Sequence, residues 1–182
     1  MKILDEIKRD HDQVRELFLQ IENKEKEGPE IFKTLVITVL AHHEAEEKTV
    51  FGQLPADEES QDLKLELIAE HDSLRRGMQV VLDTDPEDDN WKARLNVCRE
   101  MFSHHIQEEE KQLFEKLRKE LTQAKLNKLY DSFASAEEKA KEAAEEMVTQ
   151  GMILRPEDYL PREKDTSGDP AHGKTGTTKK SK

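Results

Sequence analysis

Four stretches of this chain place apolar residues at alternating three- and four-residue spacings, and each interrupts its apolar stripe with a histidine. The stripes are Leu4, Ile7, His11, Val14, Phe18, Ile21; then Leu35, Val39, His42, Glu46, Val50; then Leu67, His71, Leu74, Met78, Val81; then Leu95, Cys98, Phe102, His105, Glu109, Leu113. That rhythm is the signature of α-helices with one face turned to a core. Two stripes add a glutamate four residues after the histidine, Glu46 and Glu109, one turn further along the same face. A carboxylate buried there without a partner costs several kcal/mol or gives up its charge. A chain that writes six such side chains into its core stripes must compensate them together.

The interruptions recur as an internal repeat. Residues 41–51 read AHHEAEEKTVF and residues 104–114 read HHIQEEEKQLF; a shift of 63 positions lays His42 on His105, Glu46 on Glu109, Val50 on Leu113 and Phe51 on Phe114. Asp10-His11-Asp12-x-Val14-Arg15 likewise matches Glu70-His71-Asp72-x-Leu74-Arg75. The chain is two copies of a helix pair.

Breakers set the limits. The first helix is expected from about residue 2 to 25. Gly28-Pro29 opens the second, which stops near Gly52–Pro55. The third covers about 60–83, the DTDPEDDN cluster at 83–90 turns the chain, and the fourth starts near Pro86. Thr122 caps a fifth helix that reaches about residue 150. Short loops between four such helices favour an all-α, antiparallel up-down four-helix bundle over residues 1–150, with the fifth helix added. Residues 151–182, rich in Pro and Gly and poor in apolar side chains, read as a largely disordered tail.

Composition excludes several functions. Net charge is −12, which disfavours a phosphate backbone as partner, so no nucleic acid is expected. No apolar run approaches the roughly 18 residues that span a bilayer, and MKILDEIKRDHD has no signal-peptide core. A single cysteine forms no internal disulfide, which fits a reducing cytoplasm. No Ser/His/Asp or Cys/His nucleophile pattern and no phosphate-binding Gly loop is present.

The compensation that suits neutral imidazoles and carboxylates is a cation. The candidate ligands are His11, His42, Glu46, His71, His105 and Glu109. Six mixed N/O donors exceed what one tetrahedral zinc takes. They suit two metals, each with two histidines, bridged by Glu46 and Glu109. Iron is the natural ion for such a set, with manganese second.

The pattern DHDxVR, HHExEExxVF, EHDxLR and HxxxEExxLF resembles the hemerythrin-like, HHE cation-binding family over roughly residues 1–120. The resemblance implies a four-helix bundle holding a non-haem di-iron centre, two irons with a bridging oxo or hydroxo group. It implies ligation by those same six residues, the two glutamates bridging. Oxygen-carrying members place a second histidine four residues after the third-helix one, where this chain has Arg75. On the fourth helix they place Asp five residues after the His, where Glu110 stands. Both differences weigh against reversible oxygen carriage. Other members are implicated in iron or oxygen sensing, nitric oxide chemistry or peroxide handling, so the expected partner is a small diatomic ligand or peroxide. A non-catalytic metal-responsive module, an iron-binding or storage protein and a plain interaction bundle remain alternatives at this point.

Other residues carry smaller expectations. His43 and His104, about 100° around their helices from His42 and His105, are read as surface residues or supports to the ligands. His43 has the better claim to be an extra ligand. Glu44, Glu47, Glu108 and Glu110 are read as solvated or as holding imidazole N–H groups. Cys98 is read as a buried inert thiol, Trp91 as closing one bundle end, and Arg15 and Arg75 as surface ion-pair partners. His172 falls in the tail.

Overall fold

A computed structural model describes residues 2–154. Its helices are α1 (Lys2–Asn23), α2 (Gly28–Ala45), α3 (Glu58–Leu82), α4 (Asp89–Glu108), α5 (Phe114–Glu120) and α6 (Gln123–Gln150). No strand occurs among the described residues. The first four helices make the expected bundle, with α5 continuing α4 beyond a single wide turn, and α6 packs along α1 and α2.

The helix starts follow side-chain chemistry. The Asp57 carboxylate accepts from the Ser60 N–H at 3.0 Å, so α3 begins two residues before the periodicity alone suggests. Asp88 does the same for Asn90 at 2.8 Å. α4 therefore starts at Asp89 rather than at Pro86, which lies in a turn closed by the Asp88 N–H to the Asp85 carbonyl at 2.9 Å. Thr122 caps α6 as expected. Gly151 ends α6 with φ of 73°, a left-handed conformation that glycine takes without a Cβ penalty.

The core is divided. One apolar cluster contains Phe18, Phe32, Val39, Leu74, Met78, Trp91 and Phe102. The other contains Ile7, Phe51, Leu67, Leu113, Leu126 and Phe133. The histidine-bearing segments run between them, so the polar side chains form a layer sealed above and below by hydrocarbon. Trp91 closes the end of the first cluster against Phe32, the rings 6.4 Å apart.

Two departures from regular helix flank this layer. Glu46–Val50 and Glu109–Leu113 are π-helical turns, so α2 widens at Glu46 and α4 widens at Glu109. The Phe51 and Phe114 N–H groups reach back five residues, to the carbonyls of Glu46 and Glu109. The extra residue lets Glu46, Val50 and Phe51 all point inward, at no more than 1% exposure. On a regular helix a five-residue step swings Phe51 well away from Glu46. π turns gather at functional sites because they re-aim side chains without ending the helix.

After α6, the buried Gln79 side chain donates to the Gly151 carbonyl at 3.0 Å and accepts from the Ile153 N–H at 2.8 Å. Ile153 is fully buried. The rest of the segment read as a tail, His172 included, lies outside the described residues. Cys98 is buried among apolar side chains, and that burial pushes its thiol up to about 12. Native chain should therefore resist alkylation at pH 8, with full labelling only in denaturant. Rapid labelling of the folded chain by a thiol reagent would contradict this.

Candidate metal centre

All six expected donors meet in the layer between the apolar clusters. Glu46, His71 and Glu109 have no exposed surface, and His11, His42 and His105 are at most 4% exposed. Each histidine turns Nε2 inward to a carboxylate. His42 Nε2 is 3.3 Å and His71 Nε2 is 3.6 Å from the same Glu46 oxygen, Oε2. His11 Nε2 is 3.2 Å and His105 Nε2 is 3.6 Å from Glu109 Oε2. Each glutamate thus reaches one histidine from each half of the repeat.

Each Nδ1, by contrast, faces outward onto a second carboxylate. His11 meets Glu110 at 3.1 Å, His42 meets Asp10 at 3.2 Å, His71 meets Glu47 at 3.0 Å and His105 meets Glu70 at 2.7 Å. An Nδ1–H given to a carboxylate fixes the tautomer that leaves Nε2 with its lone pair inward, as metal-ligating histidines require. Of the four glutamates read as either solvated or holding imidazole N–H groups, Glu47 and Glu110 take the second role. Asp10 and Glu70 were not expected in it, although their signal is present: both directly precede a layer histidine, yet each serves the histidine of a neighbouring helix. Glu44 pairs instead with Lys48 at 2.7 Å.

His43 belongs to the centre. It is 2% exposed and stacks on His71 with ring centroids 3.6 Å apart and planes 5° from parallel. Ligand atoms of His43, His71 and His105 lie within 4.8 Å of one another, as do those of His11, His42 and Glu109, and those of Glu46, His71 and Glu109. The donors therefore divide into a pair of imidazoles and a trio, with the two glutamates between. His43 points inward because it faces α3 and α4, where its ring lies 5.3 Å from His105 and 6.4 Å from Phe102, while His42 beside it turns toward His11 on α1 and Phe133 on α6. His104, on the more open α4, is 68% exposed. Arg15 behaves as expected, bonding Asp12 at 2.6 Å and Glu110 at 2.9 Å. Arg75 is a correction: it is 3% exposed and its charge is felt at His43, since its place one turn after His71 faces the interior.

Electrostatics fit a cation. Burial pushes the basicity of His42 and His71 down, His71 to about 4, and that of His43 well below the ordinary value, so these rings are neutral and ready to ligate. Burial, followed by the charge of Glu109, drives Glu46 well above the usual carboxylate range. Burial opposes Glu109 too, but the neighbouring His105 and His11 outweigh it and hold that carboxyl low, and against burial Glu109 and Glu110 in turn raise His11. Two buried carboxylates face each other, and only a cation lets both stay ionised.

The unsatisfied atoms decide between a metal site and a plain polar core. Nε2 of His11, His42, His71 and His105, Nδ1 of His43 and both oxygens of Glu46 and Glu109 are buried without a hydrogen-bond partner, nine atoms in all. The inward approaches above are close but lack hydrogen-bond geometry. At about 1–3 kcal/mol for each orphaned group, the layer would cost on the order of 10 kcal/mol or more. That rivals the roughly 5–15 kcal/mol by which whole domains are stable. The donors fit a bound metal cation, which imidazole and carboxylate together ligate.

Comparison with known proteins agrees with this geometry. The family model described as the hemerythrin HHE cation binding domain matches residues 2–117. A curated relative from Nostoc sp., a "DNA nickase", is 26% identical over 144 residues. That match takes in 78% of this chain and 41% of the relative, so the chain spans about two fifths of that protein's length. The crystal structure of a hemerythrin HHE cation binding domain-containing protein from Mycobacterium kansasii superposes with a TM-score of 0.73 at 21% identity. It covers 83% of this chain and 94% of that one, and shows the same fold.

Proposed function

The chain belongs to the hemerythrin HHE cation-binding domain family, and on that premise we propose that it is a non-haem di-iron protein whose centre meets O2, NO or peroxide, in sensing or detoxification. The observation that carries this reading is the set of nine buried, partnerless donor atoms converging between two apolar clusters. His11 and His42 would hold one ion, His43, His71 and His105 the other, with Glu46 and Glu109 shared. Mixed imidazole and carboxylate ligation favours iron, with manganese second. Bound iron supplies electron exchange with a small oxidant. The protein's part is to hold the ions: four outer carboxylates aim the imidazoles, and the apolar clusters keep bulk water out. A layer this deeply buried admits only molecules of a few atoms.

DNA cleavage, the activity in the relative's name, suits this chain poorly. Its net charge of −12 repels a phosphate backbone. No described helix is long and apolar enough to cross a membrane. A reducing cytoplasm would keep both Cys98 and ferrous iron reduced.

The test is metal content after expression with iron, followed by absorption spectra under O2, NO and peroxide. Wild type should carry about two irons per chain. Glu46→Ala and Glu109→Ala should each carry one or fewer, and at least one of the three oxidants should change the visible spectrum. Two irons in both variants would remove the shared role of the glutamates. An iron-loaded spectrum indifferent to all three molecules would remove the small-oxidant reading.

A further inference from the structure

The internal repeat offers a comparison within one molecule. The 63-residue shift that lays His42 on His105 also lays Ala41 on His104 and Ala45 on Glu108, while Asp10 corresponds to Glu70. In the first half Ala41 and Ala45 are buried, at 2% and 0% exposure, on the helix that α6 packs along. The corresponding face of α4 is open: His104 is 68% exposed. There the small residues are replaced by an imidazole and a carboxylate that converge on Glu70.

Their geometry is that of a ligand set. His104 Nε2 lies 3.7 Å from Glu70 Oε1, and ligand atoms of Glu70, His104 and Glu108 all lie within 4.8 Å of one another. His104 and Glu108 are four apart on α4, so they share a face, and Glu70 reaches across from α3. Glu70 also looks inward, because its other oxygen, Oε2, is 2.7 Å from His105 Nδ1. One carboxylate therefore belongs both to this outer triad and to the support of the buried layer.

We infer that Glu70, His104 and Glu108 form an outer site for a divalent transition-metal cation, joined to the buried centre through Glu70. One imidazole and two carboxylates are borderline-hard donors suited to Fe2+, Co2+ or Zn2+. A cation between Glu70 and Glu108 also relieves the repulsion of two neighbouring carboxylates. Three protein donors at the surface leave the remaining positions to water, so the site binds more weakly than the layer and exchanges its ion freely. A ferrous ion held there stands one side chain from His105. The site does not depend on which metals fill the layer.

The experiment is a Co2+ titration of the full chain, first metal-free and then with the buried layer already filled with iron, followed by the Co2+ visible absorption and by metal analysis. Wild type should take one more Co2+ than His104→Ala under either condition. That ion should bind at least tenfold more weakly in His104→Ala and in Glu108→Gln, with the buried metal count the same in all three proteins. Equal Co2+ uptake and affinity in wild type and both variants would overturn the site and assign the cation to the acidic surface at large. Because the difference between wild type and variant is read separately from the buried count, a failure of the di-iron reading would show as a changed buried count and leave this comparison standing.

Discussion

Stripping the metal from the folded chain with a chelator is expected to lower its melting temperature by roughly 15–30 °C, with the helical signal at 20 °C largely kept. The size follows from linkage: an ion held at a thousand times its Kd stabilises the folded state by about 4 kcal/mol, and two ions by about twice that. For a chain of this length each kcal/mol moves the midpoint by about 2–4 °C. The retained helix follows from the divided core, since the two apolar clusters are built from hydrocarbon contacts that need no metal. Chelation returns the layer to nine buried atoms without partners, so the loss should fall on stability before fold. The check is paired thermal melts with and without chelator, with iron analysed before each. A shift under about 3 °C in a chain shown to have lost two irons would mean that the layer is satisfied without metal.

Much of this was legible in the chain itself. The in-phase histidines on four apolar stripes gave the bundle, and the repeated His-x-x-x-Glu gave the level at which its core turns polar. Those signals survive because they rest on helical period, which tertiary packing reinforces. His43 was harder to place, since its inward direction is set by the rings it meets on α3 and α4, His71, His105 and Phe102, contacts made between residues far apart in sequence. Asp10 and Glu70 were missed for a related reason: each supports a histidine on a different helix, His42 and His105, and no local spacing encodes that pairing. The π turns at Glu46 and Glu109 left a trace in the aliphatic-Phe pair that closes each repeat, where two adjacent residues are both buried. On a regular helix the Phe would lie about 140° around the axis from the glutamate five residues before it, yet both are buried at the layer. Arg75 shows the converse, a charged residue assigned to the surface by type and placed in the interior by its phase with His71.

Replacing Glu46 by leucine should have opposite effects with and without metal. In the metal-free chain Glu46 has no hydrogen-bond partner for either oxygen, is fully buried and faces Glu109. A leucine of similar size occupies the same fully buried position at the edge of the apolar cluster that holds Ala45, Val50 and Phe51, without a group to desolvate. Exchanging an unsatisfied buried polar group for hydrocarbon of similar shape removes a desolvation cost of about 1–3 kcal/mol. Metal-free Glu46→Leu should therefore unfold at higher urea than metal-free wild type, with the slope of the transition unchanged. Iron should reverse the order, because the variant has lost the carboxylate that reaches both His42 and His71 and gains little from added metal. The measurement is four urea transitions, wild type and Glu46→Leu, each with and without iron. A crossing would mean that this carboxylate is kept at a cost to the bare fold for the ion it helps to hold. If Glu46→Leu were the weaker protein in both conditions, the layer would be a network that holds the bundle together by itself, and the plain interaction bundle would regain its claim.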